Sequence, residues 1–168
     1  MITVQNKKIS PDLQRIIDAR HHDPFSVLGR HPVKKKKDVI RTFIPRAKEV
    51  RISGSDIELQ RIEGTDLFQW SGDASSLPQH YQFAWTDEND HAHATYDPYC
   101  FEPQLSDFDL HLFGEGKHWH AYNILGARPT EVDGIAGVLF STWAPSAQRV
   151  SVVGDFNQWD GRYHPMRV

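Results

Sequence analysis

The sequence is poor in several features that would each indicate a class of protein. It has one cysteine, Cys100, among 168 residues, which excludes an internal disulfide framework and fits a reducing compartment such as the cytoplasm. Its apolar runs are too short for a membrane span, and its N-terminus lacks the apolar core of a secretory signal. A net charge of -3 and a pI of about 6.3 argue against a nucleic-acid binder, whose pI usually exceeds about 9.

The motifs of common enzyme classes are also missing from the sequence. It has no glycine-rich phosphate loop and no nucleophile elbow, and Cys100 has no evident base partner along the chain. The ten histidines are scattered, and the pairs at 21–22 and 91–93 lack Cys or Glu partners at metal-ligand spacing. We therefore expect no catalytic residue, no metal site and no cofactor in this chain.

A short helix is predicted near the N-terminus. Ser10 suits the N-cap and Pro11 the first helical position. Apolar residues then recur at helical spacing, at Leu13, Ile16 and Ile17. We expect this helix to end at residues 20–22, before the Asp23-Pro24 breaker.

The pattern changes after residue 38 to the alternation typical of β-strands. Strands are predicted at residues 39–44, 50–52, 57–59, 67–70 and 81–85. Because turn signals separate them every 8–12 residues, the pattern favours an all-β, immunoglobulin-like β-sandwich of antiparallel strands. The four lysines at 34–37 are interpreted as a solvated loop protecting a sheet edge, with contact to an anionic partner as the alternative. Residues 97–116 are interpreted as loop, with a short helical turn at 119–125.

An internal repeat carries the most information about domain organisation. The segment TFIPRAKEV at 42–50 aligns with TWAPSAQRV at 142–150, at an offset of 100 positions that also relates Gly54 to Gly154. Upstream, FSVLG at 25–29 aligns with YNILG at 122–126, at an offset of 97. Proline ends the first strand of each copy, and a second strand comes after a short turn.

The two copies, at residues 25–54 and 122–154, differ in the length of chain that continues beyond them. The first continues to a closing loop near residue 97, whereas the second continues only through residues 155–168. We therefore predict a helical segment at 1–22, a complete sandwich at 23–110, a linker at 111–136 and the incomplete start of a second sandwich at 137–168. On this arithmetic the chain is expected to be the N-terminal piece of a longer protein.

Trp159 is the aromatic residue most suited to a binding role. It lies in the turn-rich loop DFNQWDG at 155–161, which has no counterpart in the first copy. An indole face can stack on the apolar face of a sugar ring, and Asn157 can hydrogen-bond sugar hydroxyls. Packing of this loop against another domain is the alternative.

Residues 137–167 closely resemble the beginning of the glycogen-branching-enzyme type of carbohydrate-binding module family 48. The segments DPFSVLGRH at 23–31 and LFGEG at 112–116 are similar to matching segments of bacterial 1,4-α-glucan branching enzymes, which carry an extra sandwich before the family 48 module. The resemblance covers residues 10–168.

This resemblance implies a domain order of extra sandwich, family 48 sandwich, catalytic (β/α)8 barrel and C-terminal sandwich. It implies a retaining enzyme of the glycoside hydrolase family 13 type that cleaves α-1,4-glucan and transfers the piece to a 6-hydroxyl, with an Asp nucleophile and a Glu acid/base on the barrel. No barrel motif is present, so no catalytic residue can be assigned here. The implied partners are α-glucans such as glycogen, which Trp159 and Asn157 would contact, and the barrel of the same polypeptide.

Two other functions are compatible with the sequence. The chain could be a stand-alone glycan-binding or regulatory module that targets a partner to glycogen. It could also be the front of another amylase-clan enzyme, such as a debranching enzyme or a trehalose-releasing hydrolase.

Overall fold

The computed structural model describes residues 9–33 and 37–168. The strands are β1 (Gly29–Val33), β2 (Lys37–Phe43), β3 (Ala47–Ile52), β4 (Glu58–Arg61), β5 (Leu67–Gly72), β6 (Gln82–Asp87), β7 (Ala92–Tyr96), β8 (Gly126–Val132) and β9 (Ile135–Ser141). The helices are α1 (Pro11–Ile17) and α2 (Asp107–Gly114). The lysines at 34–36, and residues 1–8 of the predicted helical segment, lie outside the described residues. None of the helices described is long and apolar enough to cross a membrane.

Helix α1 begins where its sequence predicts and ends earlier. The Ser10 hydroxyl oxygen accepts a hydrogen bond from the Leu13 N–H at 3.3 Å, which caps the first turn. The helix ends at Ile17 rather than at residues 20–22, because Ala19 adopts a left-handed φ of 56° that turns the chain out of the helix. Ile16 is buried against Leu28 and its neighbours, which anchors the helix.

Strands β1 to β7 form one antiparallel sheet in the order β1-β2-β5-β4-β3-β6-β7. Strand β4 joins its two halves, since Leu59 lies opposite Val50 of β3 and Arg61 lies opposite Phe68 of β5. The sheet therefore folds into two layers that share β4, with β1 and β7 as its free edges, which confirms the all-β prediction.

The inner faces of these two layers enclose one apolar core. Ile40 and Phe68 come from one layer, and Val50, Ile52 and Phe83 come from the other. All five side chains are fully buried. The predicted strands correspond to β2, β3, β4, β5 and β6.

The sequence did not identify β1, β7, β8 or α2. Strand β1 contains Pro32 and β8 contains Pro129, and a proline argues against a central strand. Residues 92–95 of β7 are small or polar, and they are exposed at the sheet edge. Helix α2 lies inside a segment predicted as loop, where the Ser106 hydroxyl caps it by accepting from the Asp109 N–H at 3.1 Å.

Strands β8 and β9 form a hairpin outside the main sheet. Its turn consists of Asp133 and Gly134, both with positive φ (52° and 80°), as a two-residue hairpin turn prefers. Beyond the hairpin, Ser151 pairs with Pro165 in an isolated bridge. The segment expected to be a linker, 111–136, thus contains the end of α2 and the whole of β8. The expected short turn near residue 119 is a 3-10 turn at Ala121–Asn123.

The sequence repeat is also a structural repeat. A 3-10 turn precedes β1 and another precedes β8, and each strand then begins at a glycine of similar φ, 90° at Gly29 and 94° at Gly126. Both strands pair antiparallel with the next one. We call residues 9–100 the N-terminal unit and residues 122–168 the C-terminal unit.

Candidate functional site

The candidate binding loop, residues 154–161 and here called the Trp159 loop, is shaped by the amide of Asn157. Asn157 is 3% exposed. Its carbonyl oxygen accepts from the Gly154 N–H at 2.9 Å, and its NH2 group donates to the Val152 carbonyl at 2.8 Å. The NH2 group also lies 2.9 Å from His164 Nδ1. Because these bonds join the loop to the residues that flank it, Asn157 fixes the shape of the loop and presents almost no surface to a ligand.

Trp159 is the side chain that this loop displays. It is 67% exposed, and its indole N–H donates to Asp155 Oδ1 at 2.9 Å. Its backbone N–H donates to the Gly154 carbonyl at 3.0 Å. Because the ring is held through its N–H edge while most of the residue stays exposed, it can offer a face for stacking on a sugar ring.

The charges around Trp159 are largely compensated within the loop. Arg162 donates to both carboxylate oxygens of Asp160, at 2.9 Å from Nε and 2.6 Å from Nη2. These hydrogen bonds hold the pKa of Asp160 below its usual value, so the carboxylate stays ionised and paired. Partial burial lowers the pKa of His164, which favours a neutral imidazole near pH 7. Such a surface suits an uncharged ligand better than an anionic one.

An apolar cleft of about 810 Å³ lies beside the loop, between the two units. Trp85, His93 and Tyr96 line it from the N-terminal unit, and Phe140 and Phe156 line it from the C-terminal unit. Trp159 is not among its lining residues. The exposed indole and the cleft are therefore separate features of the surface.

The N-terminal unit holds the Trp159 loop through contacts that the sequence did not suggest. The guanidinium of Arg46 donates to Gln158 Oε1, and the hydroxyl of Tyr163 donates to the Pro45 carbonyl at 3.0 Å. The guanidinium of Arg162 lies 5.8 Å from the centre of the Phe43 ring. The sequence offered one clue to these contacts, since the repeat has an arginine at position 46 where its second copy has Ser146.

The histidines and Cys100 do not form a reactive centre. Among residues 9–33 and 37–168, no three His, Cys, Asp or Glu side chains are grouped so as to hold a metal ion. His80 Nδ1 does lie 3.4 Å from the Cys100 sulfur, a neighbour that the sequence had not suggested. However, burial, followed by the nearby Asp97, raises the pKa of the Cys100 thiol to about 11, and the thiol donates to the Asp97 carbonyl at 2.9 Å. The thiol is thus protonated and unreactive near neutral pH.

Two matches to known protein families correspond to the two parts of the chain. The model for "alpha-1,4-glucan branching enzyme GlgB, N-terminal domain" matches residues 10–99. This chain belongs to that family. A second model, "Carbohydrate-binding module 48 (Isoamylase N-terminal domain)", matches residues 124–168. The second match begins just before β8 and includes the whole Trp159 loop.

Curated relatives of this family are similar along nearly the whole chain. A protein of Methylococcus capsulatus named 1,4-alpha-glucan branching enzyme GlgB is 56% identical over 161 residues, which are 96% of this chain and 22% of that protein. A protein of the same name from Cellvibrio japonicus is 52% identical over 98% of this chain and 24% of its own length. The chain therefore spans less than a quarter of the length of these relatives. The resemblance stated from the sequence is confirmed.

Proposed function

We propose that this chain is the N-terminal, non-catalytic part of a cytoplasmic glycogen branching enzyme. Such an enzyme cleaves α-1,4-glucan and transfers the piece to a 6-hydroxyl, which creates an α-1,6 branch. The observation that carries the proposal is the order of the two family matches, at 10–99 and then at 124–168. The relatives named branching enzymes align with nearly the whole of this chain. The two carboxylic acids that retaining chemistry needs are assigned to a catalytic barrel of the same polypeptide.

Within this enzyme, the C-terminal unit binds α-glucan through the ring of Trp159. The exposure of Trp159, its anchored N–H edge and the paired charges nearby support this assignment. Asn157 was expected to contact the glucan as well. Its burial and its internal hydrogen bonds favour a different role, in which it holds the loop that presents Trp159.

Binding by Trp159 can be tested by affinity electrophoresis in gels that contain glycogen or amylopectin. Trp159→Ala is expected to weaken retention about tenfold, which corresponds to about 1.4 kcal/mol and to the loss of one aromatic stacking contact. Trp119→Ala is a matched control, because Trp119 is 88% exposed but lies outside the loop. Unchanged migration of Trp159→Ala would reject the role, and equal losses in both variants would indicate non-specific aromatic binding.

The enzymatic proposal is tested with the product of the complete gene, incubated with linear amylose. We expect new α-1,6 linkages, detected as short chains that isoamylase releases from the product. Accumulation of reducing ends without such linkages would favour a hydrolytic member of the amylase clan. Glucan binding without either activity would favour a stand-alone glycan-binding module.

A further inference from the structure

We propose that the turn formed by Pro45 and Arg46 in the N-terminal unit positions the Trp159 loop, and that it thereby sets the glucan affinity of the C-terminal unit. Arg46 and Pro45 are positioning residues on this account, and Trp159 is the residue that contacts glucan. The effect on affinity rests on the function proposed above for Trp159. The effect on the position of the indole does not depend on it.

The turn contacts the chain on both sides of Trp159. Arg46 donates to the side-chain oxygen of Gln158, the residue immediately before Trp159. Tyr163, four residues after Trp159, donates its hydroxyl to the Pro45 carbonyl at 3.0 Å. Trp159 therefore lies between two residues that are both tied to one turn of the other unit.

The loop backbone needs such support. Gln158 and Trp159 are consecutive non-glycine residues with left-handed φ values of 56° and 59°, a conformation that side chains with a Cβ rarely adopt. Strained residues of this kind persist where the surrounding structure over-determines them. The amide of Asn157 and the carboxylate of Asp155 hold the loop from within, whereas Arg46 holds the Gln158 side chain from outside.

The turn is a rigid base for this contact. Ile44, Pro45 and Ala47 are buried, and the Ala47 N–H donates to the Ile44 carbonyl at 3.3 Å. Only Arg46 extends from the turn into solvent. The second copy closes the same kind of turn, with the Ala147 N–H donating to Ala144 at 3.0 Å, but it carries a short Ser146 in place of the arginine. The difference at this position gives the N-terminal unit a side chain long enough to reach the loop of the other.

The position of the indole can be measured without any ligand. In 1H–15N spectra of the 168-residue chain, the indole N–H signal of Trp159 is assigned from its loss in Trp159→Phe. Arg46→Ala is expected to shift or broaden this signal, whereas Arg51→Ala, which removes an exposed arginine from β3 of the same unit, should leave it unchanged. Equal thermal unfolding midpoints for the two variants establish that both are folded.

Affinity for maltoheptaose is then measured by titration of the same variants. Arg46→Ala is expected to bind about threefold to tenfold more weakly, as the loss of one ordinary, solvent-exposed hydrogen bond predicts. Arg46→Lys, which retains a donor, should recover part of this loss. Arg46→Ala combined with Gln158→Ala should bind no more weakly than either single variant, since both remove the same bond.

An unchanged indole signal in Arg46→Ala overturns the proposal, and so do additive losses in the double variant. If Trp159→Ala leaves maltoheptaose binding unchanged, the glucan role of Trp159 fails, and the link to affinity fails with it. A shifted indole signal in Arg46→Ala would in that case still support positioning of the loop by the turn. The two failures are therefore distinguishable.

Discussion

The two copies of the repeat form the same kind of hairpin but bury it to different extents. Ile40 and Phe140 occupy equivalent positions at the offset of 100, yet Ile40 is 0% exposed and Phe140 is 39% exposed. Phe43 and Trp143 are likewise equivalent, with exposures of 7% and 50%. One sequence pattern thus supplies a core in one copy and an open apolar surface in the other, because burial depends on which strands cover the hairpin.

The partners of each hairpin explain this difference. In the N-terminal unit, β5 pairs with β2, and the layer that contains β3 and β6 covers its inner face. In the part of the chain that the structure describes, β9 pairs with β8, and the segment after β9 contributes the single bridge between Ser151 and Pro165. Among residues 9–33 and 37–168, the large exposed hydrophobic side chains, except Val33, accordingly lie at or beyond Phe108. The closed apolar core thus lies in the N-terminal unit, and the exposed apolar surface follows it in the chain.

Matched deletions in the two hairpins should give the largest contrast. Ile40→Ala is expected to lower the free energy of unfolding by about 2–5 kcal/mol, because it leaves a cavity in a closed core. Phe140→Ala should cost less than about 2 kcal/mol although it removes more atoms, since its ring already borders an open cleft. Urea titrations measure both values, and equal losses would contradict the contrast in burial.

The pH dependence of stability should arise in the N-terminal unit at Asp97. Asp97 is fully buried and accepts from the Tyr81 hydroxyl at 2.5 Å and from the Tyr99 N–H at 3.0 Å, and burial raises its pKa from 3.8 to about 6. The folded state favours the protonated acid, so protonation of Asp97 stabilises the fold. This stabilisation, of the order of 3 kcal/mol, is complete below about pH 4 and is lost as the pH rises through about 6.

Asp97→Asn should remove this dependence. Free energies of unfolding are measured between pH 4 and pH 7 for the wild type and for Asp97→Asn. The contributions of the carboxylates that both proteins share cancel in the difference. The wild-type value minus the variant value is expected to fall over this range. A difference that stays constant with pH would show that Asp97 does not titrate there.

The two glycines that begin the hairpins offer a comparison at nearly equal φ. A Cβ on Gly29 would lie 2.6 Å from the Cβ of Tyr99, whereas a Cβ on Gly126 would meet nothing within 4 Å. Gly126→Ala should therefore cost about 1–2 kcal/mol from backbone strain, and Gly29→Ala should cost about 1–3 kcal/mol more from the clash. Similar thermal unfolding midpoints for the two variants would show that the Tyr99 contact relaxes easily.

Hydrogen exchange should show a smaller difference, between the amides of the two hairpins. The amides that bond β2 to β5 are expected to exchange at least about tenfold more slowly than those that bond β8 to β9, because less apolar surface covers the second hairpin. Mass spectrometry of peptides from 37–43 and 135–141 measures this ratio. Uniformly strong protection across residues 137–168 would contradict the account.

Short-range features of this fold could be predicted from the sequence, and features set by tertiary contacts could not. The cap at Ser10 and the apolar, β-branched run around Ile40 involve neighbouring residues, so the sequence alone could predict them. Strand β8 and the burial of Asn157 depend on pairing and internal hydrogen bonds that leave no periodic signal. The bond from Arg46 to Gln158 joins residues 112 positions apart, and only the folded chain brings them together.

The central claim is that the N-terminal unit is a scaffold and the C-terminal unit carries the glucan site. A 1H–15N titration of this chain with maltoheptaose tests it most directly. We expect the largest shift changes at the Trp159 indole N–H and in residues 154–161, while the amides of β2, β3 and β6 stay unchanged. Largest changes in the N-terminal unit, or no change at saturating maltoheptaose, would contradict it.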